Sequence, residues 1–248
     1  MIRNLAQKLR TPARPDTRAA TGNSLTARRT DDVKTFGLSP AALSRVLSVA
    51  KIVRFSRRDV IYRAGDAAES LFALRSGMVK LVNYLPNGRA RTVRLHVRGS
   101  LVGLNGLLGE DYEHTAVVIN DVVAYRIPIA DLQMLREDDP QLYGQLTARW
   151  YDYLREADAW ITQFSTGSTK ARVARLIVHL SNLESDTKTT HVKLLTCEEM
   201  ADVLGVTMES VSRMLALFKR KQLLHPVPDQ PAECYGLDWR VLNRIAED

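Results

Sequence analysis

The chain has 248 residues, of which 45% are hydrophobic, and its formal net charge at pH 7 is +7. This length and composition allow one large or two smaller packed domains and exclude a disordered tail. No apolar run approaches the roughly 18 residues that would span a bilayer, so we expect a soluble protein. The two cysteines, Cys197 and Cys234, form no CxxC pair and suit a reducing compartment such as the cytoplasm, where disulfides are rare.

The first 34 residues are strongly basic. Residues 1–34 contain eight Lys or Arg and three Asp, so most of the net positive charge lies there. A segment rich in Arg and Thr and poor in acidic residues is typical of an organellar transit peptide. The alternative, which we favour, is a disordered basic extension that adds non-specific attraction to phosphate.

Residues 35–130 are predicted to form a β-roll that follows a short helix. The stretch "LSPAALSRVLSVAKIVRF" predicts an amphipathic segment, with Pro40 at a helix start and apolar residues at Leu43, Val46, Leu47 and Ala50. From Arg57 to Pro128, short β-branched and aliphatic runs alternate with turn signals such as "RSG", "LPNG" and "VRGS". The Pro86-Asn87-Gly88 turn is the clearest hairpin, because Asn and Gly accept the positive φ that a tight turn requires.

Residues 131–166 are predicted to form one long helix, from about Asp131 to Phe164. Its apolar residues alternate in spacing between 4 and 3, the a/d repeat of a coiled-coil seam, at Leu146, Trp150, Tyr153, Ala157, Trp160 and Phe164. One interpretation packs this stripe against the β-roll of the same chain. We favour a parallel dimer helix, because one helix cannot bury such a seam against itself.

Residues 167–248 begin with a linker, "TGSTKAR", and contain a helix-turn-helix pattern. Thr196 and Glu199 have the spacing of a capping box at the start of one helix, which ends at Gly205. A second helix follows Thr207, with apolar residues in helical spacing at Val211, Met214, Leu215 and Phe218. A helix over 171–183, a strand over 191–195, a proline-rich hairpin over 223–234 and a last helix capped by Asp238 predict a winged helix-turn-helix domain.

The second of these helices has a polar face opposite its apolar one, and in a helix-turn-helix this helix lies in the DNA major groove. Arg213 can donate two hydrogen bonds to guanine, Glu209 can accept one from the amino group of cytosine, and Ser212 is short enough to contact a base. The alternative for Glu209 and Arg213 is a surface ion pair, worth about 0.3–0.5 kcal/mol. We favour base readout because the pair lies on a capped helix-turn-helix. Contacts to the DNA backbone are predicted for Thr196, Thr207, Ser210 and Lys219.

This order of elements, together with "VTMESVSRMLALFKRKQLL", resembles the CRP/FNR superfamily of bacterial transcription regulators. The resemblance covers nearly everything from about Gly37 to the end. The stretch from Glu209 to Arg213 is similar to the E-x-x-S-R signature of the FNR-type recognition helix, which implies a TTGA-type half-site. Met208 stands where CRP has an arginine that reads a further guanine, and Met cannot donate those hydrogen bonds.

The resemblance implies an α+β fold with an N-terminal β-roll like a cyclic-nucleotide-binding domain, a long dimerisation helix and a C-terminal winged helix-turn-helix. The implied function is that of a homodimeric cytoplasmic regulator that binds palindromic double-stranded DNA and works with RNA polymerase. A different class of function is a ligand-binding module that acts through protein partners. An enzyme is disfavoured, because the sequence has no Gly-rich phosphate loop, no GxSxG, no HExxH and no clustered metal ligands.

The effector cannot be carried over simply from the family. Cyclic-nucleotide-binding domains hold the ribose and the cyclic phosphate with a Gly-Glu segment and a later Arg-Ser/Thr pair. In the matching stretch, "GSLVGLNGLLGEDYEHTAVV", Gly103 is kept, Leu104 replaces the glutamate, His114 replaces the arginine and Thr115 remains. A cyclic phosphate loses its main charge-assisted partner without the guanidinium. We therefore expect either an effector other than cyclic AMP in the β-roll or a vestigial site.

The sequence also bears on three other sensing mechanisms. FNR holds an iron–sulfur cluster through an N-terminal cysteine group, and residues 1–196 contain no cysteine, which excludes that mechanism. A haem-based gas sensor is an alternative, with His96, His114 and Met78 as candidate ligands. The other interpretation of each is an ordinary surface or hydrogen-bonded residue. Cys197 lies in the first turn of the first helix of the motif, where a thiol can be reactive and where oxidation would loosen DNA binding. The alternative for Cys197 is an ordinary half-buried thiol.

Overall fold

The computed structural model describes residues 36–183 and 191–248, so the basic extension predicted over residues 1–34 lies outside the described residues. The described chain divides into two compact units. The first contains the residues up to Lys80 together with Arg98–Leu146, and the second contains Leu81–Val97 together with Thr147–Asp248. Within 36–183 and 191–248, no helix is both long enough and apolar enough to cross a membrane.

The first described helix, α1, covers Pro40–Val49, as the sequence predicts. Ser39 caps it, since the Ser39 hydroxyl accepts a hydrogen bond from the backbone N–H of Ala42. The helix does not continue through the following residues, which form strand β1, Lys51–Phe55. Grouping this stretch with the amphipathic helix was wrong. The β-branched residues Ile52 and Val53 favour a strand, and this strand pairs with a later one, with Lys51 opposite Arg126.

The predicted β-roll is present as a six-stranded sheet. After β1 come β2 (Val60–Tyr62), β3 (Ser70–Tyr84), β4 (Ala90–His96), β5 (Leu101–Val102) and β6 (Thr115–Pro128), with a short 3-10 helix at Leu104–Leu108. The strand order is β1-β6-β3-β4, and β2 pairs with β6 while β5 pairs with β3. The predicted hairpin joins β3 to β4, and Gly88 at its tip has a φ of 79°.

The long helix predicted over residues 131–166 is two helices. Helix α2 covers Ile129–Asp138 and α3 covers Pro140–Ser165. The helical backbone stops at Asp139, which has φ −143° and ψ 83°. A proline disfavours helical geometry in the residue before it and lacks an N–H, so Pro140 begins a new helix. The Asp139 carboxylate then accepts from the backbone N–H of Leu142 at 3.1 Å.

The remaining elements form the predicted winged helix-turn-helix. They are α4 (Thr169–Leu183), β7 (His191–Lys193), α5 (Cys197–Leu204), α6 (Met208–Arg220), β8 (Leu224–Pro226), β9 (Cys234–Leu237) and α7 (Trp239–Glu247). The three strands form a small sheet in the order β7-β9-β8. Residues of α4, α5, α6 and α7 with little or no exposure fill the core, namely Leu176, Leu180, Met200, Leu204, Val211, Phe218 and Leu242. This core sets the position of α6 in its domain.

Candidate nucleic-acid interface

Both helices of the helix-turn-helix have capped starts, as their sequences predict. The Thr196 hydroxyl accepts from the N–H of Glu199 at 3.2 Å, and the Glu199 carboxylate accepts from the N–H of Thr196 at 2.9 Å. Helix α5 ends at Gly205, whose φ of 61° lies in the left-handed region. At the start of α6 the Thr207 hydroxyl accepts from the N–H of Ser210 at 3.3 Å. These caps fix the angle at which α6 leaves the turn.

Helix α6 buries one face and exposes the other. Its inner residues Val211, Leu215 and Phe218 are buried, while Glu209, Ser212 and Arg213 are exposed together on the outer face. We call these three exposed residues the reading face. Met208 precedes them and is also exposed. An exposed polar face backed by a packed apolar one is what a helix needs in order to enter a groove without unfolding.

The reading face carries one anionic acceptor and one cationic donor. The pKa of Glu209 is lowered chiefly because its own backbone N–H donates to its carboxylate, then by the Thr207 hydroxyl and the charge of Arg213. Glu209 is therefore an ionised hydrogen-bond acceptor at neutral pH. The Arg213 guanidinium donates to the Ser210 hydroxyl at 3.3 Å. One long contact leaves most of its five N–H groups available to a base.

Lys219 differs from the other predicted backbone contacts. Thr196 and Thr207 lie at exposed helix starts, where backbone N–H groups and the helix dipole favour a phosphate. The Lys219 ammonium instead donates to the hydroxyl of Tyr235 on β9 at 2.7 Å and lies 4.4 Å from the centre of its ring. This contact was not predicted, and its only signal in the sequence was an aromatic residue near the predicted wing.

Comparison with known proteins identifies the family. The cyclic nucleotide-binding domain model matches residues 52–139, and the Crp-like helix-turn-helix domain model matches residues 171–245. The transcriptional regulator LdrP of Thermus thermophilus is 30% identical over 195 residues, which are 78% of this chain and 95% of LdrP. The chain belongs to the CRP/FNR superfamily. It is a transcription regulator with a helix-turn-helix DNA-binding domain, and the relatives are regulators rather than enzymes.

Other similar proteins agree with this assignment. The transcriptional activator protein FnrA of Stutzerimonas stutzeri is 27% identical over 190 residues, which are 75% of each chain. A solved CRP-family transcriptional regulator of Thermus thermophilus superposes with a TM-score of 0.67 at 28% identity, covering 79% of this chain and 96% of that one. FixK2 of Bradyrhizobium japonicum, at 22% identity with a TM-score of 0.71, shares the fold over 79% of this chain and 97% of its own.

The regulator's α3 helix distributes its apolar residues differently from the predicted seam. Among the six predicted seam residues, Leu146, Tyr153 and Phe164 are buried within the single chain, whereas Trp150, Ala157 and Trp160 are half-buried. The large apolar side chains that α3 leaves exposed are Tyr151, Leu154 and Ile161, at 62%, 52% and 61%. We call these three the α3 stripe. Periodicity alone did not predict which of the six seam residues are buried in the single chain, and the seam stays a prediction.

Two of the buried seam residues have identifiable partners in their own unit. The backbone carbonyl of Tyr153 accepts from the Arg94 guanidinium at 2.7 Å, and its ring meets the ring of His96 edge-on at 5.3 Å between centres. The ring of Phe164 meets those of Trp160 and His179 edge-on at 4.7 Å and 5.4 Å. These contacts hold the side chains of Tyr153 and Phe164 within the chain itself.

The predicted effector residues are two pairs in the β-roll: Gly103 and Leu104 at the start of the 3-10 helix, and His114 and Thr115 at the start of β6. Gly103 has a φ of 91°, and a Cβ there would lie 2.9 Å from the Ser70 carbonyl, so only glycine fits. The side chain of Leu104 is buried, and the Thr115 hydroxyl accepts from the N–H of Ala64 at 3.1 Å. His114 lies 3.9 Å from the Glu113 carboxylate. None of these side chains supplies a guanidinium, so this set fits a cyclic phosphate poorly.

The candidate haem ligands do not form one cluster within a unit. His96 belongs to the second unit and is buried, while His114 and the buried Met78 belong to the first. In the part of the chain that the structure describes, no three or more His, Cys, Asp or Glu residues group in a way that could hold a metal ion. Cys197 and Cys234 are both free, half-buried thiols. The haem and redox hypotheses stay predictions.

Proposed function

We propose that this regulator is a homodimer that reads a palindromic TTGA-type DNA site through Glu209, Ser212 and Arg213. The observation that carries the proposal is their joint exposure on a helix that is capped at its start and packed on its other face. The spacing Glu-x-x-Ser-Arg supports an FNR-type half-site, because it combines an acceptor for cytosine with a bidentate donor for guanine. RNA polymerase is the expected protein partner, and the cytoplasm the expected location.

The dimer is proposed to form through the α3 stripe. Three large apolar side chains exposed by more than half on one helix are costly in water, and a second copy of the helix would cover them. A two-fold dimer carries two reading faces, which matches the two halves of a palindrome.

The test is selection of binding sites from random double-stranded DNA by the purified full chain, with and without a cell extract that could supply an effector. Enrichment of a two-fold symmetric site with TTGA-type halves supports the proposal. Binding without any enriched sequence would refute it and would favour a module that acts through protein partners. A parallel selection with a polybasic peptide in place of the protein controls for non-specific attraction to phosphate, which is strong at low salt.

The β-roll is proposed to respond to an effector other than cyclic AMP. This expectation rests on the apolar Leu104 and on the imidazole of His114, set against Glu113, where the family places a glutamate and an arginine. A ligand that binds only the folded state at about 100 times its Kd stabilises it by about 2.7 kcal/mol. We expect that millimolar cyclic AMP leaves the unfolding temperature unchanged. A clear rise in that temperature would overturn this part of the proposal.

A further inference from the structure

The hairpin that joins β3 to β4 packs on the helix-turn-helix motif. Leu81–Val97 belongs to the same compact unit as the DNA-binding elements. The Arg91 guanidinium donates to the backbone carbonyl of Asp202 at 3.4 Å, and the Arg89 guanidinium donates to the carbonyl of Val206 at 3.4 Å. Both acceptors lie where α5 ends and the turn into α6 begins. The β3–β4 hairpin therefore contacts the turn between α5 and α6, which sets the direction of α6.

Arg91 rests directly on the turn. A Cβ added at Gly205 would collide with the Arg91 guanidinium. Gly205 is therefore needed twice, for its left-handed φ of 61° and for the close approach of this side chain. The carbonyls at a helix C-terminus carry partial negative charge and lack partners within the helix, so a cation there is favourable.

Arg91 is half-buried, so its contact with the turn is partly shielded from water. Burial lowers the pKa of Arg91, the nearby charge of Arg172 lowers it further, and Asp202 acts in the opposite direction. Arg172 lies on α4 and donates to the backbone carbonyl of Phe164 at 2.8 Å, near the end of α3. The motif is held by α4, which packs on both α5 and α6, and by the hairpin. Neither set of contacts covers the reading face, since Glu209, Ser212 and Arg213 stay exposed.

We propose that Arg91 is a positioning residue for DNA recognition, which holds the turn at Gly205 so that the reading face has a fixed place in each subunit. This inference rests on the proposed function, because a palindrome is read only if both recognition helices meet half-sites about one helical turn, or ~34 Å, apart. A domain that must be ordered at the moment of binding loses affinity, whereas one already held in place does not. Arg91 acts through the backbone of the turn and contacts no base.

The experiment compares the wild-type chain with Arg91→Ala on a series of duplexes. Each duplex carries two half-sites whose separation changes in single base-pair steps, and one duplex carries a single half-site. We expect Arg91→Ala to bind the best-spaced duplex about tenfold more weakly and to show a flatter dependence on spacing. Its affinity for the single half-site and the slope of its affinity against salt stay at wild-type values, because no phosphate or base contact is lost.

Arg240→Ala is the matched control, since it removes one exposed arginine from α7 of the same domain and should leave the spacing profile unchanged. A second test adds Gly205→Ala alone and together with Arg91→Ala. The methyl group displaces the guanidinium, so the double variant should lose less spacing preference than the sum of the two single losses. Thermal unfolding of each variant excludes loss of folding as the cause.

Two results would overturn the inference. One is a spacing profile of Arg91→Ala that matches the wild type. The other is tighter binding of the full site by Arg91→Ala, which would mean that the Arg91 contact opposes DNA binding. A wild-type chain with no preference for paired half-sites would instead remove the proposed palindromic function, and the inference with it. If the wild type prefers paired half-sites and Arg91→Ala keeps the same preference, the role of Arg91 is refuted while the proposed palindromic function stands.

Discussion

Replacing Arg213 by alanine should remove sequence discrimination at one base pair of each half-site. To reach a guanine, the guanidinium gives up a 3.3 Å hydrogen bond to Ser210 on an exposed surface, which costs little. A bidentate Arg–guanine pair discriminates by about 1–3 kcal/mol. Two half-sites in one dimer then add up to about 2–6 kcal/mol, or about 30-fold to 10⁴-fold in relative affinity, if the two contacts are independent.

The assay is competition between the selected palindrome and duplexes in which the predicted guanine is replaced in both halves, at one fixed salt concentration. Wild-type protein should prefer the original duplex by that factor, and Arg213→Ala should bind both duplexes alike. Arg213→Lys keeps the charge but loses the paired donors, so it should behave like the alanine variant in discrimination. Arg220→Ala removes an exposed charge from the last turn of the same helix and serves as the control. Equal discrimination by wild type and Arg213→Ala would refute base readout by this residue.

Three further outcomes are expected. Leu154→Glu combined with Ile161→Glu should shift the protein from dimer to monomer in sedimentation equilibrium. Helical circular dichroism should be kept, because both side chains are exposed in the single chain. A dimer of unchanged mass would place the interface elsewhere. Burial lowers the pKa of His179, so as pH falls below about 6.5 the unfolded chain binds a proton first and the folded state loses stability. Between pH 7.5 and pH 5.5, His179→Gln should therefore show a smaller drop in unfolding temperature than the wild type. Tyr112→Phe removes the buried hydrogen bonds between the Tyr112 hydroxyl and the backbone of Ser70, at 2.6 Å and 3.3 Å. The free energy of unfolding measured by urea denaturation should fall by about 1–3 kcal/mol. A change near zero would mean that water replaces these hydrogen bonds.

The helix-turn-helix was predictable because its signals are local. Thr196 and Glu199 cap a helix three residues apart, Gly205 supplies a left-handed turn, and Thr207 begins the next helix, so each feature can be identified within a few residues. The β3–β4 hairpin was predictable for the same reason, since Asn87 and Gly88 define its turn. Local chemistry and tertiary packing agree at these positions.

Other features depended on competing or distant signals. Pro140 marks the break between α2 and α3, but the repeat of apolar residues downstream suggested a single helix through it. The strand Lys51–Phe55 has too few residues for its period to be separated from that of the helix before it. The contact of Arg91 with the turn at Gly205 joins residues more than one hundred positions apart, and no local pattern encodes such a pairing.

Helix α3 shows why periodicity predicts the faces of a helix but not what covers each face. Tyr153 and Phe164 lie 11 residues apart, close to three full turns, and both are buried in the single chain. Leu154 and Ile161 lie 7 residues apart on another side and are exposed by more than half. A helix that served only its own subunit would need one apolar face. The second, the α3 stripe, is the face proposed for a two-fold partner. Substitutions there are therefore expected to separate assembly from folding, whereas substitutions at Tyr153 would disturb both.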